Sequence, residues 1–278
     1  MSYLSATRME EALAALSRGP VAVIAGGTDW FAGPRDHLTD LPILDVTALP
    51  GFRGISQGPE GWRIGAATTW TDIAEADLPP AFDGLRAAAR EVGSLQIQNA
   101  GTIGGNLCNA SPAADGVPPL LTLDAQVELV SPRGVRVLAL ADFLLGPRRT
   151  ARQPDELLSA VLVPDPETPL AGFAKLGARR YMVISIVMVA GALRLSEGRL
   201  TDARLAVGAC SPVARRLPRL EARLRGHPAD QPVRVEAGDL DGLAPLTDIR
   251  GTDAFRIEAV AEMLSRLLDE LIAKGAGA

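Results

Sequence analysis

Two glycine-bearing segments set the terms for this chain. The first, Ala25-Gly26-Gly27-Thr28-Asp29, follows the β-branched run VAVI opened by Pro20, so Ile24 ends a strand-like stretch that delivers the chain into a tight loop. The second, Gly101-Thr102-Ile103-Gly104-Gly105-Asn106, lies within 96–115, the stretch densest in Gly, Asn, Ser and Pro. Neither is a P-loop, which needs Lys-Ser/Thr after its last glycine, and neither is the G-x-G-x-x-G dinucleotide fingerprint. Glycines nonetheless let successive backbone N–H groups converge on an anion without Cβ obstruction, and Thr28, Thr102, Asn106 and Asn109 add neutral donors. An uncharged cradle of this kind suits a diphosphate. Either cluster alone has a plainer use as a tight turn; the two together shift the balance towards the cradle.

The remaining candidates are fewer. Asp115, in SPAAD, is placed to bond a ribose or ribityl hydroxyl, or is a turn residue before Gly116. Lys175, between hydrophobic neighbours on a strand-like run, either sets a positive charge near an electron-rich ring or is a solvated strand lysine. His37 and His227 stand in loop-like contexts without a second ligand at helical spacing, so no Ser-His-acid set and no metal cluster is encoded. Cys108 and Cys210 are far apart and form no CxxC pair, so any iron–sulfur cluster belongs on another chain. With 28 basic against 33 acidic side chains the net charge is −5, which argues against a phosphate-hugging nucleic-acid binder. Eleven aromatic residues are too few for a base-stacking platform. A chain able to hold a dinucleotide but lacking an acid, base or nucleophile fits a protein whose cofactor does the chemistry.

The punctuation along the chain predicts its organisation. Thr7 and Glu10 form a capping-box pattern ahead of a helix over 7–18, with Gly19 as its stop. PILDV and WRIGAATTW read as strands, and Phe82, Leu85, Ala89 and Val92 share a face of a helix ending at Gly93. QVELVSPRGVRVLAL reads as a hairpin, and the Pro- and acid-rich 164–169 marks a domain boundary. Beyond it, AGFAKLGARR, the apolar run 181–193 and RLTDARLAVGAC predict an antiparallel meander, followed by helices over 217–225 and 252–274. The run 181–193 is too short for a membrane span and reads as a buried strand. The N-terminal residues read as a helix rather than a secretion signal, so the expected compartment is the cytoplasm.

VIAGGTD at 23–29, QIQNAGTIGGNLCNASPAAD at 96–115 and KLGARR at 175–180 resemble the FAD-binding subunits of the molybdenum hydroxylases, which include bacterial xanthine dehydrogenases and aerobic carbon monoxide dehydrogenase. RIGAATTWTDI at 63–73, ARLAVGACSPVARR at 203–216 and PLTDIRGTDAFR at 245–256 extend the resemblance over nearly the whole chain. It implies an α+β protein. Residues 1–165 would form a two-subdomain FAD-binding domain of the vanillyl-alcohol oxidase type, divided near residue 55, and 166–278 a smaller α+β domain with a three-stranded antiparallel sheet and helices. It further implies that Ile24, Ala25, Gly26, Gly27, Thr28 and Asp29 wrap the FAD diphosphate from one side. Gly101, Thr102, Gly104, Gly105 and Asn106 do so from the other, with Asn109 and Asp115 close behind. Leu158 packs near the isoalloxazine ring, and Lys175 lies near its edge.

By the same resemblance, molybdopterin and [2Fe-2S] clusters belong to partner subunits. An iron–sulfur subunit and a molybdopterin-binding subunit would feed electrons through FAD to NAD or another acceptor. Gln98 stands where the family often has Arg, and Val183 where it often has Asp, so NAD is not assigned by the resemblance. A stand-alone flavin oxidase or reductase of the same broad fold is the alternative, as is a scaffold subunit that has lost FAD.

Overall fold

The computed structural model describes residues 2–33 and 41–276, so His37 lies outside the described residues. The chain begins with a small parallel sheet. β1 (Tyr3–Ser5) and β2 (Ala22–Ile24) flank β3 (Ile43–Asp45), and α1 (Met9–Ser17) provides the crossover between β1 and β2. The expected capping box of Thr7 and Glu10 does not form. Arg8 is the N-cap and offers no side-chain cap, while the Thr7 N–H donates to Glu11 Oε2 at 3.4 Å. Thr7 stands one position too early for its hydroxyl to serve the first turn, so Glu11, rather than Glu10, reaches back to it.

A larger antiparallel sheet follows. The hairpin of β4 (Ile55–Gly58) and β5 (Gly61–Gly65) leads into five short helices: α2 (Trp70–Glu75), α3 (Asp83–Glu91), α4 (Leu95–Ala100), α5 (Ile103–Asn109) and α6 (Val117–Thr122). The WRIGAATTW run is therefore a strand only as far as Gly65. Thr69 then caps α2 in a capping box with Asp72 and ends any extended course. Next come the hairpin β6 (Gln126–Ser131) and β7 (Gly134–Ala139), the single turn α7 (Leu140–Phe143), and the small pair β8 (Leu144–Gly146) and β9 (Arg149–Thr150). β10 (Leu157–Val163) closes the sheet from its centre, in the order β4-β5-β10-β6-β7. Central placement explains why six of its seven residues are buried, where an edge strand would alternate.

The rest of the chain makes the predicted meander. β11 (Leu170–Leu176), β12 (Val187–Ser196) and β13 (Arg199–Gly208) pair antiparallel, and a two-residue strand, β14 (Arg215–Arg216), joins the edge as a fourth member beyond the three expected. α8 (Pro218–Leu224) and the long α9 (Asp253–Ala276) cover it. Val260, Leu264, Leu268 and Leu271 of α9 pack onto Val187, Val189, Leu193 and Leu205 in one core, while Trp70, Phe52, Phe82, Ile64 and Leu129 centre another. Gly84 of α3 and Gly172 of β11 bring the two parts into backbone contact, because a Cβ on Gly84 would stand 3.0 Å from the Gly172 carbonyl oxygen. Residues 181–185 do not extend β12. Met182 takes a left-handed conformation, Arg179 donates to its carbonyl, and Tyr181, Met182 and Ile184 are exposed.

Arg256 of α9 is nearly fully buried and ties three segments together. It donates to the carbonyls of Ile186 and Ala209 and pairs with Asp248 at 2.7 Å. The Arg250 side chain and backbone N–H, with Arg256 behind them, hold the Asp248 carboxyl at about 2. A carboxylate whose folded value is depressed adds stability above its ordinary value of about 4 that is lost as pH falls towards 2. Thermal melts of wild type should therefore lose Tm across that interval more steeply than melts of Asp248→Asn, and parallel slopes would contradict this role.

Candidate functional site

The two glycine segments meet in one place. The loop after β2 turns at Gly27, whose φ of +67° is in the left-handed region and whose absent side chain leaves room for the Phe31 ring, 2.8 Å from where a Cβ would be. Gly26 lies directly against the backbone at Ala100 and Gly101; a Cβ there would collide with the Ala100 carbonyl. Gly104 makes the matching approach on α5, where a Cβ would sit 2.6 Å from that of Ala66. Between them opens a cleft of about 760 Å³ lined by residues 24–29 and by Gly101, Thr102, Gly104, Gly105, Asn106, Asn109 and Leu158. That volume lies in the range of ordinary cofactor sites.

The two segments differ in what they offer a ligand. On the second, Ile103 N–H donates to Thr68 at 3.0 Å and Gly104 N–H to Ala66 at 2.8 Å. Gly105 and Asn106 N–H both turn back to Thr102, at 3.1 and 3.0 Å. The N–H groups of residues 103–106 are thus engaged, the first two fastening α5 to the turn after β5 and the next two closing its own first turn, and only the Thr102 N–H of this stretch reaches no acceptor among the described residues. On the first, none of the N–H groups of residues 25–29 reaches an acceptor among the described residues. Asn106 adds a buried side-chain oxygen that no described group satisfies. A buried acceptor without a donor costs about 1–3 kcal/mol, and a ligand hydroxyl would satisfy it.

A β-bulge at Ser159 interrupts β10, where Ser159 accepts from the Ala66 N–H at 2.9 Å and donates to Glu128 at 2.6 Å. Leu157 and Leu158, just before the bulge, both face the cleft, which strict alternation along a strand would not allow. Four charged side chains line the cleft: Asp29, Arg148, Arg152 and Glu156. Glu156 is already engaged, accepting from Arg136 at 2.6 and 2.8 Å and from the Gln153 N–H at 2.7 Å, and the Arg136 guanidinium holds its carboxyl below the usual range. Cys108 lines the cleft with an exposed side chain, and the protein packed around it pushes its thiol up to about 11. Trp70, Val92, Ile97, Arg148, Thr150 and Arg152 complete the walls without a signal in the sequence that marks them. No group of His, Cys, Asp or Glu among the described residues could hold a metal, and no described helix is long and apolar enough to cross a membrane.

Asp115 and Lys175 stand outside the cleft lining and are bound to each other. Lys175 Nζ donates to Asp115 Oδ2 at 2.7 Å and to the Glu91 carbonyl at 3.0 Å, and Ser185 donates to Asp115 Oδ1 at 2.6 Å. Both charged groups are almost fully buried, and burial raises the Asp115 carboxyl, with Lys175 and Ser185 opposing that shift. Removing one partner of a buried pair leaves an uncompensated charge worth about 3–5 kcal/mol. Lys175→Met is therefore expected to lower unfolding free energy by about that amount in urea titration, whereas a loss below about 1 kcal/mol would mark a solvated surface pair.

Comparison with known proteins agrees with this geometry. Residues 1–166 match the family described as the FAD binding domain in molybdopterin dehydrogenase, and 173–271 the CO dehydrogenase flavoprotein C-terminal domain. The chain is 32% identical to a putative xanthine dehydrogenase FAD-binding subunit of Escherichia coli (strain K12), over 99% of this chain and 97% of that one. It is 29% identical to the carbon monoxide dehydrogenase medium chain of Afipia carboxidovorans, over 86% and 82%. A chain in the structure of the cyanide-inactivated Cu,Mo-CO dehydrogenase superposes with a TM-score of 0.86 at 27% identity, covering 98% of both.

Proposed function

The chain belongs to the FAD-binding family of the molybdopterin dehydrogenases, as an oxidoreductase subunit, and from that premise we propose that it is the electron relay of a molybdenum hydroxylase complex. In this reading its partners are a molybdopterin-binding subunit and an iron–sulfur subunit, its acceptor is NAD or another oxidant, and the complex is cytoplasmic. Residues 1–165 hold the cofactor and 166–278 form the second domain.

The observation that carries the reading is that residues 25–29, lining the cleft opposite a glycine-tight wall, have N–H groups that reach no acceptor among the described residues. FAD, when bound, supplies a carrier that takes up a pair of electrons and passes them on. The chain supplies the rest. N–H groups of residues 25–29 bind the diphosphate, Thr28 and Thr102 flank it, and Asn106 Oδ1 takes a ribityl hydroxyl. Lys175, on the second domain, stands outside the cleft lining, and its ion pair with Asp115 neutralises the charge it would bring to the ring edge. The described lining contains neither histidine nor tyrosine, and Glu156 is engaged, which favours relay over direct acid–base work on an organic substrate.

Gly105 provides the test, because it is exposed to the cleft and a Cβ there meets only Thr102 Oγ1, at 3.0 Å. Gly105→Val fills ligand space while sparing the contacts that Gly26 and Gly104 make with the backbone. The variant is expected to fold, to lose a roughly tenfold or larger factor in FAD affinity, about 1.4 kcal/mol, and to purify without the flavin spectrum of wild type. A folded variant with undiminished flavin content would overturn the assignment of the second segment.

A further inference from the structure

Six of the fourteen large hydrophobic side chains left exposed among the described residues fall in two short segments, 181–184 and 246–255. They are Tyr181, Met182 and Ile184 on the first and Leu246, Ile249 and Phe255 on the second. The segments meet at Ile186. Its carbonyl accepts from the buried Arg256 at 2.5 Å, and a Cβ on Gly251 would stand 3.5 Å from Ile186 Cγ2 and 3.0 Å from Phe255 Cδ1. The two exposed groups therefore adjoin, and contiguous apolar surface of this kind marks an interaction site.

The backbone beneath this face is fixed. Asp248 and Gly251 exchange backbone hydrogen bonds at 3.1 and 3.2 Å, and the Asp248 carboxylate accepts from the Arg250 N–H and from the Arg250 and Arg256 side chains. The closed turn carries Ile249, fully exposed, at its tip. On the other segment, Arg179 holds the Met182 carbonyl, and the Arg180 guanidinium lies over the Tyr181 ring at 5.2 Å. Apolar groups held out by a pre-formed backbone lose little freedom when they are covered, so most of the gain from burying them appears as affinity.

Charge selects the occupant. Asp248 is answered by Arg250 and Arg256, and Asp253 stands in the first turn of α9, whose positive end favours it. Arg179 and Arg180 are exposed, and Glu91, which lines the same hollow, forms no ion pair with either. The surplus at the rim is thus positive on a chain whose net charge is −5. An isologous contact with a second copy would set this basic rim against itself, and Asp248 and Asp253 within the face do not suit an anionic lipid surface. Resting on the reading of the chain as one subunit of a complex, we propose that this face docks a permanently bound partner subunit, which receives Ile249 in an apolar socket rimmed by carboxylates. Permanence follows from composition, since obligate interfaces are more hydrophobic than transient ones and Tyr, Phe, Met and Arg are enriched at them.

The experiment purifies the complex through a tag on this chain, expressed with its partner subunits, and reads molybdenum and iron per flavin for wild type, Ile249→Asp and Ile249→Lys. FAD per chain and Tm serve as folding controls, and a side chain as exposed as Ile249 should leave both unchanged. Ile249→Asp should lower molybdenum or iron per flavin by about tenfold or more. Ile249→Lys should lower it less, because the rim it enters is acidic. Wild-type metal ratios in Ile249→Asp, or a larger loss in Ile249→Lys, would overturn the proposal. So would a dimer of the full chain by itself, or its binding to phosphatidylserine vesicles, that Ile249→Asp abolishes, since the face would then have another occupant. Wild type that carries neither metal overturns the subunit reading itself, a result that needs no variant.

Discussion

The cleft exists because two backbones touch where side chains would forbid it. Gly26 lies on Ala100 and Gly101, and Gly104 lies on Ala66, so the loop after the parallel sheet and the first turn of α5 share a floor. Each contact excludes even a methyl group. The positions of β2, α5 and the turn after β5 are therefore coupled, and residues 25–29, whose N–H groups reach no acceptor among the described residues, line a space whose opposite wall cannot retreat. That rigidity matters for a bound dinucleotide, since a pre-formed cradle avoids the ordering cost that a loop closing on its ligand would bear.

A second constraint joins the parts of the chain. The Asp115–Lys175 pair, with Ser185 and the Glu91 carbonyl, sits where β11 passes the C-terminal end of α3, close to the Gly84–Gly172 contact. Asp124 with Arg204 and Arg216, and Asp83 with Lys274, repeat the arrangement nearer the surface. In every case the carboxylate comes from the first part and the cation from the second. Surface pairs contribute little individually, but the buried one fixes the orientation of both groups, because either charge left alone would be costly.

How much of this was legible in the sequence depended on whether a local signal existed. The glycine segments, the meander and the stripe of α9 were readable because close approach, alternation and helical periodicity each leave a mark in residue type. The short helices α2, α4, α5 and α6 were not: α4 and α5 are too short to show a period, and what defines them is capping by Ser94 and Thr102 within stretches that otherwise look like loop. The apolar run from 181 misled for the opposite reason. Its residues have strand propensity, but Arg179 captures the Met182 carbonyl and the first six residues lie outside the sheet. Arg148 as a lining residue left no trace, since a left-handed turn and a partner 39 residues away bring it to the cleft.

The distribution of donors within the cleft bears on how such sites arise. A glycine-rich turn at the start of a helix invites the reading that its N–H groups bind the anion. Here those groups are consumed by Ala66, Thr68 and Thr102, and the helix is too firmly anchored to offer them. Its Gly104 serves close packing instead, while the segment without a helix keeps amides that reach no acceptor among the described residues. The cleft thus separates two duties: α5 supplies the wall, and the loop at 25–29 supplies the neutral donors. The two cations that line the cleft among the described residues, Arg148 and Arg152, are held by Asn109 and by the carbonyls of Gln153 and Glu156.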